Sequence, residues 1–183
     1  GVAAAVVVVL GFGTFKVDTD PGLLTYFAEG AALRDGLERI DADGGSSTLD
    51  VVFRDSEGGR LDSEPVFQKM RALQAAFEAD SAVGLVLGPS VLLEHARGLP
   101  LARFMSLEVL LDLASSPQLG GAGLGYVSAD RDEGHYFLRM RESVEEPSRD
   151  AVTERLRVYT REAGLEPVLV GGLYDLQAQL GRL

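Results

Sequence analysis

The chain contains no cysteine, which excludes disulfides, thiolate metal sites and a cysteine nucleophile, and leaves the redox compartment open. It has only two histidines, His95 and His135, in different segments and without the spacing of a histidine metal site. Basic residues are in deficit: 17 lysines and arginines stand against 28 aspartates and glutamates, a formal net charge of -11. A chain so acidic lacks the basic patches with which nucleic-acid binders and anionic-membrane binders neutralise phosphate, so no nucleic-acid partner is expected. No serine sits in Gly-x-Ser-x-Gly, so there is no nucleophile elbow. What remains is a chain of 183 residues, 46% hydrophobic, long enough for one domain with a real core.

Charge is also missing locally. Gly1 to Phe15 carries no charged side chain, and Val6 to Leu10 is intensely apolar. The run is shorter than the roughly 20 residues of a complete transmembrane helix, and it lacks the basic n-region of a signal peptide. It reads as the outer end of a transmembrane helix (residues 1–16) that begins before Gly1; the competing reading is a buried hydrophobic element of a soluble domain.

The chain is organised around residues 47–89. Leu49, Val51 and Phe53 alternate with Asp50, Val52 and Arg54, which predicts a strand over Thr48 to Arg54 with one buried side. After a break at residues 57–60, Ser63, Glu64 and Pro65 supply a capping hydroxyl, an acidic first turn and an early proline. Phe67, Met70, Leu73 and Phe77 then share one helical face. Val83 to Leu87, bounded by Gly88 and Pro89, reads as the return strand. Phe67, Met70, Leu73 and Phe77 are expected to pack on Leu49, Val51 and Phe53.

Around this β-α-β unit, Asp20 and Pro21 open a short helix packed through Leu23, Leu24, Tyr26 and Phe27. Leu33, Leu37 and Ile40 share a face of the next helix, which residues 41–46 end. Val91, Leu92 and Ala96 mark a short helical segment; Phe104, Leu107, Leu110, Leu111 and Ala114 mark a stronger one. A glycine-rich connector over residues 120–125 precedes a hairpin of Leu124 to Ala129 and His135 to Glu142, turning at residues 130–134. Tyr136 to Met140 is its strand core. A helix from Pro147, with Val152, Leu156, Tyr159 and Ala163 on one face and Gly164 as its stop, leads to a strand at Pro167 to Val170. The β-α-β order thus occurs twice, which suits an α+β, ferredoxin-like sandwich. Leu173, Leu176, Leu180 and Leu183 then begin another amphipathic helix (residues 171–183).

No constellation in this pattern makes an active site. Gly11 and Gly13 would need a third glycine where Lys16 stands, and Gly121 and Gly123 would need one at Tyr126, so neither is a dinucleotide fingerprint. Loops starting at Asp41 and Asp130 resemble calcium loops, but Ser46 and Val52, and His135 and Arg141, occupy the positions of the invariant glycine and the bidentate glutamate. Both read as solvated turns. His95 reads as a surface histidine, and the pairs Asp18 with Asp20 and Glu145 with Glu146 as local charge runs. No catalytic, cofactor-binding or metal residue is expected, and no cofactor.

In order along the chain, the apolar start, Val17 to Asp20, Tyr26 and Phe27, Arg34, Gly44 to Ser46, the strand from Leu49, the helix from Gln68 to Phe77 and the closing Val170 to Tyr174 resemble the RND (resistance–nodulation–division) exporters of the MMPL type. The polar Pro-Glu-Asp-Ser-like run frequent after the Tyr-Phe pair is reduced here to Glu29. The resemblance implies an extracytoplasmic porter domain (residues 17–170) between two membrane helices, one of two such loops, the second favoured. It further implies a non-enzymatic part of a proton-driven exporter of lipids or other hydrophobic compounds in the inner (plasma) membrane, the segment itself largely periplasmic. Its partners would be the hydrophobic or lipid-like substrate, the rest of its own transporter chain, the membrane through the flanking helices, and, in an oligomer, other copies. The proton-relay residues of such exporters lie in membrane helices outside this chain. The competing readings are a freestanding ferredoxin-like binding or regulatory module and a small enzyme on the same fold.

Overall fold

The computed structural model describes residues 23–100, 102–116, 125–144 and 147–180. After a short 3-10 turn at Leu23–Tyr26, the elements run α1 (Ala32–Gly44), β1 (Ser47–Asp55), α2 (Glu64–Ala79), β2 (Val83–Leu87) and α3 (Pro89–Arg97). A second 3-10 turn, Ala102–Phe104, leads to α4 (Leu107–Ser115), β3 (Glu133–Met140), α5 (Arg149–Glu162), β4 (Leu165–Gly171) and α6 (Leu173–Leu180). The described chain is therefore α+β, with one four-stranded sheet in the order β2-β3-β1-β4 and every neighbouring pair antiparallel. β1 and β2 lie on either side of β3 and are joined through α2. β3 and β4 lie on either side of β1 and are joined through α5.

Period two decides which sheet face is closed. Leu49, Val51 and Phe53 of β1 and Tyr136, Leu138 and Met140 of β3 are fully buried. Above them lie Phe67, Met70, Leu73 and Phe77 of α2 with Val152 and Leu156 of α5, all in the same core cluster. Each such side chain contributes roughly 1.5–3 kcal/mol by leaving water. The aromatic centre is specific: Tyr136 stacks on Phe53 at 5.3 Å and meets Phe77 edge-on at 5.5 Å. Gly164 ends the α5 turn in the left-handed region, at φ 78°.

The other face carries Asp50, Val52 and Arg54 of β1, His135, Phe137 and Arg139 of β3, Leu85 and Leu87 of β2, and Leu169 of β4, as alternation and register require. It mixes apolar and charged side chains, and Leu85 and Leu169 are exposed.

Several expectations need correction. The Ser63 hydroxyl donates to the Arg60 carbonyl at 2.7 Å and does not cap α2. The expected hairpin shrinks to a single bridge between Val127 and Gly134, because β3 already starts at Glu133, inside the anticipated turn. Leu33 and Ile40 on α1, Leu173 and Leu176 on α6, and Tyr26 and Phe104 in the 3-10 turns are exposed; their apolar spacing does not mark core faces. On α6 the buried side chains are Tyr174, Gln177 and Ala178. Helix α1 runs on through Asp41 to Gly44, where the sequence suggests a solvated turn, and Asp41 is fully buried. Among the described residues no helix is long and apolar enough to cross a membrane. The expected span at residues 1–16 and the final residues 181–183 of the expected last helix lie outside the described residues.

Candidate functional site

Where β2 stops, Gly88 turns the chain into α3 so close to the core that a β-carbon there would lie 2.2 Å from the Tyr136 ring. α3 thereby starts against Tyr136, whose hydroxyl donates to the Met70 carbonyl at 2.9 Å and touches the Ser90 hydroxyl. Burial pushes the Tyr136 phenol far up, and the Ser90 contact offsets only part of this, so it stays protonated.

Beyond the end of β2 its place beside β3 is taken by a short strap, residues 125–128. The His135 amide donates to the Tyr126 carbonyl and the Ser128 amide to the Glu133 carbonyl, both at 2.9 Å. Between strap, strand end and helix opens a cleft of about 310 Å³, lined by Leu87, Gly88, Val91, Leu92, His95 and Tyr126. Its walls are aliphatic and aromatic, with His95 at the rim, a lining suited to an apolar group. On the other side of Tyr126 is a smaller hollow of about 210 Å³ that includes Val52, Ser128 and His135. The two histidines that the sequence separates by forty positions thus each line a cleft that shares Tyr126.

The chemistry of the smaller hollow is limited by its own hydrogen bonds. His135 Nε2 lies 2.7 Å from Asp50 Oδ1, and Nδ1 lies 3.1 Å from the Gly125 carbonyl. Both ring nitrogens face acceptor oxygens, and neither is hydrogen-bonded to a hydroxyl. The nearby Ser128 hydroxyl donates to Asp132 Oδ1 at 2.8 Å and accepts the Asp132 and Glu133 amides. Histidine and serine therefore line one hollow, with Asp50 bonded to the histidine, without forming a triad. Among the described residues no three His, Cys, Asp or Glu side chains are grouped to hold a metal ion.

A third hollow, of about 470 Å³, is lined by Arg54, Asp55, Asp132, Glu166 and the glycine loop at Gly58 and Gly59. Two of its carboxylates are matched by cations: Lys69 Nζ reaches Asp55 at 2.7 Å and Arg54 reaches Glu166 at 2.8 Å. Burial pushes the Asp55 carboxyl up, but Lys69 and the Gly59 amide more than offset it and hold the group below its usual range. This is a braced turn, in which Asp55 also accepts the Glu57 amide at 3.2 Å.

At the other end of the sheet the described chain is gathered by two buried carboxylates. Asp41 accepts from the Ser46 amide (3.1 Å) and hydroxyl (2.6 Å) and from the amides of Glu142 (2.7 Å) and Ser143 (2.9 Å). Burial pushes its carboxyl up and these bonds more than reverse that, leaving it lowered. Glu142 accepts the Leu24 amide at 3.4 Å and lies 3.9 Å from Arg149 Nη1. The same Arg149 nitrogen donates to Gln177 of α6, and its guanidinium sits 5.1 Å from the Tyr174 ring centroid. The first and last described segments are thus tied to one end of the sheet.

Sequence reasoning missed the Asp50–His135 pair and the Asp41 clamp. For the first the available signal was register: opposing Val52 to His135 brings Asp50 within reach on the same face. For the second, helix α1 would have had to be carried past Ile40. No protein-family model, no curated protein and no solved structure matches this chain.

Proposed function

We propose that residues 17–170 are a ferredoxin-like porter domain held outside the inner (plasma) membrane, part of a proton-driven RND exporter of the MMPL type that moves lipids or other hydrophobic compounds. The observation that carries this reading is the convergence of the first and last described segments. Leu24 and α6 are tied through Glu142, Arg149 and Gln177 to one end of the sheet, as a loop that leaves and re-enters one membrane surface requires. The sheet order β2-β3-β1-β4, with two interleaved β-α-β units, fits the ferredoxin-like porter architecture. The apolar cleft at Tyr126 and the open sheet face are the kind of surface along which a hydrophobic compound passes. In this reading the domain is no enzyme. Residues 1–16 and 171–183 join it to the membrane and to the rest of its transporter, and copies can associate as an oligomer.

These 183 residues contain no cysteine. Ala72 lies on the outer side of α2, so Ala72→Cys, placed in the native gene with any cysteine outside residues 1–183 replaced by serine, gives a single reporter thiol. A membrane-impermeant maleimide should label it in intact cells. Labelling that appears only after lysis would overturn the reading in favour of a freestanding module.

A further inference from the structure

We infer that His135 is a proton-operated clasp on the strap that walls the apolar cleft. The ring sits between two groups that can only accept hydrogen bonds, the Asp50 carboxylate on Nε2 and the Gly125 carbonyl on Nδ1. A neutral imidazole has one N–H and can satisfy one of them; its other nitrogen then turns a lone pair toward an oxygen lone pair. Only the imidazolium, with two donors, makes both bonds. On deprotonation the remaining N–H stays with the carboxylate, the stronger and closer acceptor, and the bond to Gly125 is lost.

The residue after Gly125, Tyr126, is the wall shared by the two hollows. Beyond Gly125 the strap is held to β3 by the His135–Tyr126 and Ser128–Glu133 backbone bonds. Losing the clasp therefore removes the side-chain tie at Gly125 and leaves those backbone bonds in place, which loosens the chain next to the Tyr126 side chain that lines the cleft with Val91 and Leu92. The charged and titratable groups around the ring are Asp50 and Arg54 on β1, Glu133 on β3 and Tyr126 on the strap, with His95 on α3 across the cleft. Arg54 is engaged by Glu166 at 2.8 Å. Protonation of His135 closes the clasp and deprotonation opens it.

The clasp stands on geometry alone; its effect on a ligand rests on the apolar-cleft reading given above. Two measurements on the full chain separate the parts. Nitrogen-15 NMR of the imidazoles reports the protonation of His135, while the backbone amide shift of Tyr126, which shares a peptide unit with the Gly125 carbonyl, reports the clasp. As the His135 imidazolium signal disappears, that shift should move with it, while the amide shifts of the β1–β3 ladder away from His135 stay constant. His135→Gln should abolish the coupled movement, and His95→Gln should leave it intact. A Tyr126 shift that is flat across the titration, or a movement that survives in His135→Gln, overturns the clasp. In parallel, a fluorescent naphthalene-sulfonate probe should bind with an affinity that changes several-fold over the same titration in the wild type and not in His135→Gln. A responsive strap with no probe binding at any pH would sink the apolar-cleft reading and leave the clasp standing.

Discussion

Phe53 and Gly134 are partners across β1 and β3, and the Phe53 ring fills the space a side chain on residue 134 would need. A β-carbon there would come within 2.4 Å of the ring's ζ carbon. Glycine ordinarily weakens a strand interior. Here it lets Phe53 lie flat across the neighbouring strand and stack on Tyr136. Gly134→Ala should therefore destabilise by overpacking, by about 1–3 kcal/mol in a urea melt. Adding Phe53→Leu should return part of that loss. An alanine variant within about 0.5 kcal/mol of wild type would mean that Phe53 has another place to go.

The core under α2 makes a larger claim. Phe77 is fully buried and meets Tyr136 edge-on, and Phe67 is buried beneath the Arg97 guanidinium, 4.9 Å from its ring centroid. Truncating either to alanine should cost about 3–5 kcal/mol, as for buried aromatics generally. The denaturation midpoint should move with little change in slope. A loss below about 1 kcal/mol would show that the helix face is misassigned.

Legibility followed burial. Leu49, Val51 and Phe53 against Phe67, Met70, Leu73 and Phe77 could be read from period alone, since both patterns report one dry face. The same logic misleads on α1 and α6. Leu33, Ile40, Leu173 and Leu176 have the spacing of a core stripe, yet they are exposed, because those helices meet the sheet at its end and edge through Asp41, Gln177 and Tyr174. Periodicity shows that a helix has an apolar side without showing that the domain covers it. The cleft was illegible for another reason. Tyr126, His135 and Asp50 come together through a strand register and one isolated bridge, both set by tertiary pairing between segments up to 85 positions apart.

Asp41 gives a pH prediction with a definite sign. Its folded-state pKa is lowered from an unfolded value of about 3.9. The stabilisation is therefore complete above that value and disappears as pH falls through the folded one. Stability should drop on acidification from about pH 5 to pH 3, with Asp55, Asp62 and Asp80 adding to the drop because they too are lowered, Asp62 to about 2. Asp41→Asn separates its own share. The amide keeps the shape and cannot serve four donors, so the variant should be less stable at pH 7 and lose less between pH 5 and 3. Parallel curves for the two proteins would show that the clamp does not depend on the Asp41 charge.

The helices of the two β-α-β units are also pinned to each other by an ion pair, and that pair separates geometry from charge. Asp80 follows the C-terminus of α2 and is buried; Arg155, on α5, reaches both its oxygens through Nε at 2.6 Å and Nη2 at 2.7 Å. Asp80 also accepts the Ala82 amide at 3.0 Å. Burial raises the carboxyl, and the Arg155 bond with its charge more than reverses that, so Asp80 stays ionised in the fold. Arg155 is about one-third exposed, so screening reduces what the pair contributes below that of a fully buried one. Arg155→Ala leaves Asp80 with the Ala82 amide and the Tyr159 hydroxyl and should cost about 1–3 kcal/mol. Arg155→Lys keeps the charge without the two-pronged fork and should fall between that variant and wild type. If lysine restores full stability, a point charge suffices and the fork adds nothing. If alanine itself costs under about 0.5 kcal/mol, the two units are joined by the shared sheet and core, and the ion pair does not pin them.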